Sequence, residues 1–232
     1  MTIRLYDKMP LHADHILLDL PFREGVGAIT QDVAKPHHPV TLVNTPTWTS
    51  LASDLGCLAL NGTNEYLRSL NASTADLGFT AGPYSLATWL YWQAGDDSQI
   101  IMGRYELDVG GWEVYLYNSP PKYLTLRHHH AGGAAVRSAV YSAGWEFDTW
   151  YFLGISRTGG GDAIHYRNGV PLVMTGSLED PEATTSDLVI GARYTINDNW
   201  FKGRLWRPRA WDRILTPAEW ARLYSREAGW FA

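Results

Sequence analysis

The sequence predicts an all-β fold, an antiparallel sandwich of two sheets with one short helix near its C-terminal end. Apolar runs of strand length recur along the chain, and turn dipeptides such as Asn168-Gly169 separate them. Helical patterns do not alternate with these runs, which excludes a parallel α/β sheet. Because 45% of the residues are hydrophobic and 19% are charged, the chain has the material for a substantial core.

The predicted strands follow one another at hairpin spacing. Residues 58–67 are predicted to form a tight hairpin, with Asn61-Gly62 as its turn. Residues 83–92 are bulky on both alternating faces, which is typical of a central strand covered on both sides. The other strands predicted in this part of the chain are residues 14–22, 40–43, 99–103, 112–117, 123–127, 135–141, 150–157 and 163–170.

The C-terminal segment predicts two further strands and the helix. One apolar run ends at Gly191, and a second begins at Phe201. Thr216 is a good N-cap, Pro217 suits the first helical position, and Glu219 completes a capping box. The helix is expected to bury one apolar face made of Trp220, Leu223 and Tyr224.

Several motifs occur in the order found in one known family. They include Ile190-Gly191, Phe201-Lys202-Gly203, Leu215-Thr216 with Glu219, and the earlier segments 58–67 and 83–92. In this order the sequence resembles the laminin-G-like domains of the concanavalin A-like lectin/glucanase superfamily, over residues 14–226. The resemblance implies a jelly-roll sandwich. We expect residues 1–232 to form a single domain with its core at about 14–226. Such folds host lectins, hydrolases and structural modules, so the fold alone assigns no function.

Charge and cysteine content exclude some classes of function. The net charge of −5 argues against nucleic acid as a partner, because a binder needs a basic patch to neutralise phosphates. Arg204, Arg207, Arg209 and Arg213 concentrate on the last predicted strand, where a solvated face is the expected explanation. Cys57 is alone, which excludes an internal disulfide, and its apolar neighbours predict a buried thiol. No apolar run is long enough for membrane insertion.

Calcium is the one cofactor that the resemblance suggests, since many laminin-G-like domains are calcium-dependent binders. Calcium takes six to eight oxygen ligands, with carboxylates supplying most of the charge. In the matching loop, Asn61 and Asn64 stand where the family usually has Asp, which leaves Glu65 as its acid. Asp32, Asp96 and Asp97 are the other candidate ligands. The alternative is that all these loop side chains face water.

The loop Asn197-Asp198-Asn199-Trp200 is the candidate glycan site. It offers amides and a carboxylate to sugar hydroxyls beside an indole ring that can stack on a sugar. Trp112 is a further candidate for stacking, because it follows a glycine pair. The alternative for each such aromatic residue, including Tyr105, Trp145 and Tyr194, is packing in the core or at a sheet edge.

Two other patterns are weaker. Glu106-Leu107-Asp108 starts a glucanase-type acidic signature, but the third acidic position is Gly111, so no catalytic site is predicted. His128, His129 and His130 are consecutive on a predicted strand. Their side chains therefore alternate between faces and cannot converge on one metal ion.

These observations lead to a non-catalytic surface module. We expect a structural or adhesive component, of decoration or tail type, in a virion or extracellular assembly, which binds glycan or neighbouring protein subunits. The chain carries no secretory signal pattern, and virion proteins need none. The apolar tip 229–232 is expected to dock on a neighbour. The alternative is a free-standing lectin-like protein that is calcium-dependent, and a glycoside hydrolase ranks last.

Overall fold

Two antiparallel sheets stack face to face, as the sequence predicts. The computed structural model describes residues 15–132, 136–141, 144–159, 162–172, 174–175 and 178–231, with the backbone alone at 136–141 and 174–175. The described strands are, in chain order, β1 (Ile16–Asp19), β2 (Ile29–Gln31), β3 (Pro39–Val43), β4 (Thr47–Ser50), β5 (Gly56–Asn61), β6 (Tyr66–Ser69), β7 (Tyr84–Trp92), β8 (Ser98–Glu106), β9 (Gly110–Tyr117), β10 (Tyr123–His129), β11 (Val136–Tyr141), β12 (Trp150–Arg157), β13 (Ala163–Arg167), β14 (Val170–Pro171), β15 (Met174–Thr175), β16 (Leu188–Ile190) and β17 (Lys202–Trp211).

The strand order interleaves distant parts of the chain. The eight-stranded sheet has the order β14-β13-β12-β7-β17-β5-β4, and β1 pairs with β17 beside this path. The nine-stranded sheet has the order β15-β11-β10-β9-β8-β16-β6-β3-β2. A main hydrophobic core fills the space between the sheets and includes Leu86, Leu90, Trp112 and Leu126. This arrangement is a mostly β jelly-roll sandwich.

Strand β7 is the central strand that the sequence predicts. It pairs with β12 on one side and with β17 on the other. Its alternating side chains serve two cores: Leu90 and Trp92 face the other sheet, whereas Ala87 and Trp89 pack under the C-terminal helix. The expected coverage on both faces is therefore confirmed.

One predicted hairpin is wrong. The turn that follows Asn61 does not join paired strands, because β5 belongs to the eight-stranded sheet and β6 to the nine-stranded sheet. The Asn61 side-chain oxygen accepts hydrogen bonds from the backbone N–H groups of Thr63, Asn64 and Glu65. This side chain closes a loop in which Gly62 has a φ of +74°. The loop leads the chain across from one sheet to the other.

The helix α1 (Pro217–Glu227) lies on the outer face of the eight-stranded sheet. Thr216 and Glu219 form the predicted capping box, and Trp220 and Leu223 are buried. The Trp220 ring packs directly over Gly154, where an added Cβ would lie 2.6 Å from the ring atom Cζ3. A larger residue at this position would displace the helix, so the glycine sets the distance between helix and sheet.

Two arginines of β17 are buried, contrary to the expectation of a solvated face. Arg207 Nε lies 2.9 Å from Asp19 Oδ1. Arg209 Nη1 and Nη2 lie 2.8 and 2.9 Å from the two carboxylate oxygens of Glu227, at the end of α1. Trp89 Nε1 donates to the same carboxylate at 2.7 Å. The acids that neutralise the strand come from distant segments, which the strand's own sequence does not reveal.

The C-terminal tip packs on its own sheet instead of extending toward a neighbour. The Phe231 ring stacks on Trp89 with centroids 3.9 Å apart. Trp230 contacts the edge of Trp206 and remains 42% exposed. Phe231 is therefore used within the chain, whereas docking of a neighbour on the exposed part of Trp230 stays a prediction and Ala232 lies outside the described residues.

Other single features agree with the sequence. Cys57 is fully buried, and burial raises the pKa of its thiol to about 11. Across the described ranges, the helices are too short or too polar to span a bilayer.

Candidate functional site

A row of side chains crosses the outer face of the nine-stranded sheet. Because Trp112 and Val114 face the core, Glu113 between them faces outward. The strand register places five residues side by side across this face, in the order Arg127, Glu113, Gly103, Val189 and Arg68. The row therefore runs over β10, β9, β8, β16 and β6. At about 4.8 Å per strand, its ends lie roughly 19 Å apart.

Three polar side chains converge at one end of this row. The Glu113 Oε1 atom lies 3.0 Å from Arg127 Nη1 and 3.0 Å from His129 Nε2. Arg127 also donates to the Tyr115 hydroxyl, and its guanidinium carbon is 4.7 Å from the centroid of that ring. The His129 ring stacks on Tyr105 with centroids 4.6 Å apart. The cluster thus combines an acceptor, planar donors and aromatic faces.

The cluster is deeply placed and not fully satisfied. Glu113 is 2% exposed and His129 is 1% exposed. His129 Nε2 donates to the carboxylate, and the other ring nitrogen, Nδ1, is buried and has no hydrogen-bond partner among the described residues. Burial and the neighbouring Glu113 carboxylate raise the pKa of Tyr105, which keeps that hydroxyl protonated. Buried polar atoms of this kind require a partner.

These side chains line a small cavity that opens to the outside, which we call the Glu113 pocket. Its volume is about 90 Å³, and its lining includes Glu113, Arg127, His129, Tyr105, Arg193 and Asn199. This volume holds a few water molecules. It is therefore suited to a polar substituent of a larger ligand, whose remaining part would lie on the surrounding surface.

The predicted glycan loop forms the rim of this pocket. Asn199 lines the pocket, and its backbone oxygen accepts from Ile100 N at 3.0 Å. Asp198 Oδ2 pairs with Arg193 Nη1 at 2.7 Å, while the buried Oδ1 atom of Asp198 has no partner among the described groups. Trp200 is half-buried beside Tyr66, and Asn197 is exposed. The structure thus brings Asn199, with the Asp198–Arg193 pair, to the cluster on the sheet.

Trp112 lies elsewhere. It is 1% exposed, its Nε1 donates to the Leu77 backbone oxygen at 2.8 Å, and its ring packs near Phe79 and Tyr84. The ring is therefore part of the core, which is the alternative expected for such residues, and Trp145 is buried in the same core. Neither indole contributes to the surface around the Glu113 pocket.

Five of the six candidate calcium ligands lie at one end of the sandwich, around Lys202. Asn61 is the cross-strand partner of Lys202, and the loops of Gly62 and Gly95 pack against the Lys202 side chain. This placement brings together Asn61, Asn64, Glu65, Asp96 and Asp97. Asp96 Oδ2 accepts from Trp200 N at 2.9 Å, which anchors the glycan loop.

The donor atoms at this end fit calcium poorly. Asn61 Oδ1 already accepts three backbone hydrogen bonds, and Glu65 Oε2 accepts from Asn61 N at 2.8 Å. A bound cation would have to displace these donors. Within the described residues, no group of three His, Cys, Asp or Glu side chains is arranged to hold a metal. Calcium binding therefore stays a prediction, and no step of the proposed recognition uses it.

Asp32 belongs to a separate buried cluster. Its Oδ2 lies 2.6 Å from His38 Nδ1, and the other imidazole nitrogen lies 2.9 Å from Asp76 Oδ1. Asp32 Oδ1 accepts from the backbone N–H groups of Asp19 and Ala34. Although burial alone lowers the pKa of His38, hydrogen bonds to the two carboxylates outweigh it and raise that pKa. The side chain ties two loops together, a role that its sequence context did not suggest.

The other patterns are resolved by the strand geometry. His128 faces the core, where its Nε2 is 2.6 Å from the Tyr84 hydroxyl, whereas His129 faces Glu113 on the outside. The prediction that these neighbours do not converge is confirmed. Glu106 ends β8 and Asp108 is exposed in the following turn.

Sequence reasoning missed Glu113, Arg127 and His129 as a unit. A signal was present, since opposite charges occupy outward positions on the two strands that flank the turn at residues 118–122. The pairing register that makes them neighbours could not be derived from it.

The two stacked sheets define a jelly-roll sandwich domain. The chain belongs to the concanavalin A-like lectin/glucanases superfamily, whose laminin-G-type family model matches residues 61–220. No curated protein sequence matches the chain.

Solved structures of toxin binding domains are similar to the fold. The binding domain of Paraclostridial Mosquitocidal Protein 1 matches with a TM-score of 0.71 and 15% identity, over 92% of this chain and 52% of that one. The ligand-binding domain of botulinum neurotoxin serotype D, in complex with N-acetylneuraminic acid, matches at 0.71 and 12%, over 93% and 52%. The binding domain of botulinum neurotoxin DC, in complex with rat synaptotagmin II, matches at 0.71 and 10%, over 92% and 52%. The chain spans about half the length of each.

Proposed function

We propose that this protein is a non-catalytic binding module whose Glu113 pocket recognises a glycan. The observation that carries the proposal is the convergence of Glu113, Arg127 and His129 at the base of an open pocket. Asn199 of the candidate glycan loop lines the same pocket. A small number of precisely placed polar groups beside aromatic rings is typical of a small-ligand site.

The chemistry of these groups suits sugar hydroxyls. A hydroxyl both donates and accepts, so it can donate to the Glu113 carboxylate and accept from Arg127. The half-buried Tyr194 ring, whose centroid lies 5.0 Å from that of the buried Tyr105 ring, offers a face for the apolar C–H side of a sugar. The small cavity would receive one substituent while the sugar ring rests on Tyr194.

A hydrolase is disfavoured by the acids of the pocket. Glycoside hydrolysis needs two carboxyl groups that flank the bond, about 5–10 Å apart. Among the described residues that line the Glu113 pocket, Glu113 is the one acid, and its Oε1 is occupied by Arg127 and His129. This arrangement supports a binding role without catalysis.

The similar toxin domains support a role in recognition. One of these domains is in complex with N-acetylneuraminic acid and another with synaptotagmin II. Because this chain spans about half of each domain, neither ligand is assigned to the matching half. They support the general role of binding to a glycan or a protein, and we propose that this module acts outside the cell.

The proposal is tested on a glycan array followed by affinity measurements with the glycans retained. Arg127→Ala should lower the affinity roughly tenfold or more, because a hydrogen bond to a charged group is removed. Asn199→Gly tests the rim without backbone strain, since Asn199 has a φ of 53°. Arg222→Ala, an exposed change on α1, is the matched control. Unchanged binding by both pocket variants would refute the assignment of the pocket.

A structural role in an assembly is a second proposal. Val26, Ile29 and Val33 are 76%, 54% and 52% exposed within one short segment. Clustered exposed apolar side chains mark contact surfaces. If the protein is a decoration or tail component of a virion or extracellular assembly, light scattering should show a large particle and Ile29→Ser should dissociate it. A monomer of 26.0 kDa at all concentrations would contradict this role.

A further inference from the structure

A second cavity lies on the same outer face of the nine-stranded sheet, at the other end of the row. Its volume is about 300 Å³, and its lining includes Arg68, Glu106, Asp187, Val189, Tyr194 and Ile196. Arg68 Nε lies 2.6 Å from Asp187 Oδ2, and Asp187 Oδ1 accepts from Asn71 N at 2.7 Å. We call this cavity the Asp187 pocket.

The two pockets are neighbours with a shared wall. Tyr194 lines the Asp187 pocket, and its ring lies 5.0 Å from the ring of Tyr105, which lines the Glu113 pocket. Gly103 lies between Glu113 and Val189 in the row, and an added Cβ there would approach Tyr105 Cδ1 to 3.0 Å. The absence of a side chain at Gly103 gives room for the Tyr105 ring. Tyr194 therefore forms a tyrosine platform between the pockets, and the buried Tyr105 ring supports it.

The described charges of the two pockets are balanced. Arg127 pairs with Glu113 at 3.0 Å, Arg193 with Asp198 at 2.7 Å, and Arg68 with Asp187 at 2.5 Å. Glu106 is an additional acid in the Asp187 pocket. Each described arginine is thus matched by a carboxylate within salt-bridge distance. An anionic ligand would gain no unmatched cation from these side chains and would face the additional acid.

We propose that the two pockets and the tyrosine platform form one groove for a neutral oligosaccharide that lies across the strands. The proposal rests on the proposed function and specifies its ligand class. One sugar substituent enters the Glu113 pocket, a sugar ring rests on Tyr194, and a further unit reaches the Arg68–Asp187 pair. A span of roughly 19 Å exceeds one sugar ring, so the groove distinguishes chains by length.

The test uses the full chain and titration calorimetry with neutral glucose, mannose and galactose oligomers, from monosaccharide to hexasaccharide. Sialylated oligosaccharides of matching length are the charged probes.

For the wild type, affinity should rise with chain length until the groove is filled, and the neutral series should bind more tightly than the charged probes. Arg68→Ala should lower the affinity for long oligomers roughly tenfold. It should not change the affinity for the shortest oligomer that binds. Tyr194→Ala should weaken the long oligomers as well.

The variants separate the two proposals. Arg127→Ala should weaken oligomers of every length, and Arg222→Ala should weaken none. If Arg127→Ala weakens binding while Arg68→Ala and Tyr194→Ala bind every oligomer like the wild type, the extended groove is refuted and the Glu113 pocket stands. Tighter binding of the sialylated probes would refute the neutral ligand class. No saturable binding by any oligomer, neutral or sialylated, would refute both the groove and the proposed glycan function.

Discussion

Buried histidines respond to their surroundings in opposite directions in this protein. Burial lowers the pKa of His165 to about 3 and that of His128 to about 4, whereas hydrogen bonds to Asp32 and Asp76 raise the pKa of His38 despite its burial. Neither ring nitrogen of His165 has a partner among the described residues. Its imidazole is therefore held neutral in the core, where a charge would be unsolvated.

The first prediction concerns acid stability. Below its ordinary pKa of 6.5, His165 binds a proton in the unfolded chain but not in the folded protein, so stability falls as the pH drops toward about 3. Through this group, lowering the pH from about 7 to about 5 should lower the unfolding free energy by about 2 kcal/mol. Denaturant unfolding at both pH values should show a smaller loss for His165→Leu than for the wild type. Equal losses would show that His165 does not stay neutral.

At the residue scale, sequence reasoning found part of the site. The loop Asn197–Trp200 was identified from its composition, and the structure places Asn199 at the Glu113 pocket. Trp112 was selected by the same reasoning and lies in the core, because a glycine neighbour does not reveal which face of a strand a side chain occupies. The face is decided by pairing with β8 and β10.

Local chemistry predicts the elements well and their partners poorly. The capping box of α1 and the hairpin at Asn168-Gly169 follow from neighbouring residues, and both are present. The turn after Asn61 has the same kind of signal, yet it connects different sheets. A dipeptide fixes a bend in the chain, whereas long-range packing selects the strands that pair.

The attachment of α1 to its sheet gives the second prediction. Glu227 is buried and accepts from Arg209, Arg207 and Trp89. Glu227→Gln removes the carboxylate charge that the buried guanidinium groups of Arg207 and Arg209 share. Such a change should lower the unfolding free energy by about 3–5 kcal/mol. Thermal and denaturant unfolding measure this loss.

The matched control is the same Glu→Gln substitution at a glutamate that is exposed. Glu146 is exposed and lies 3.9 Å from Lys122 Nζ. Glu146→Gln should change the unfolding free energy by less than about 1 kcal/mol, as for other surface pairs. Equal effects of the two substitutions would mean that the buried network does not hold the helix.

At the scale of the whole molecule, the two outer faces of the sandwich differ: one is covered and the other carries the pockets. Helix α1 and the aromatic cluster around Trp89 cover the eight-stranded sheet. The nine-stranded sheet instead carries the two pockets, with Tyr194 between them. The sequence predicts the sandwich because alternation and turns are local signals. It does not predict the pockets, because their residues come from β6, β8, β9, β10, β16 and the loop that follows β16, and the crossings between sheets bring these segments together.

The third prediction concerns calcium. The oxygen of Asn61 is already used by three backbone donors in the loop that was the candidate site. We therefore expect the melting temperature to be the same in calcium and in a chelator. A clear fall on chelation would show that the loop rearranges around a cation, and Asn61→Ala should then remove the difference.

Nuclear magnetic resonance of the labelled protein, titrated with a neutral oligosaccharide that it binds, locates the binding surface directly. We expect amide shifts to concentrate on β8, β9 and β10 and on the loop of residues 193–199, with β16 and β6 joining them as the oligomer lengthens. Amides of α1 should not respond. Shifts on the α1 side of the sandwich, or at the loop of Asn61 without the Glu113 pocket, would contradict the assignment of the binding site to the outer face of the nine-stranded sheet.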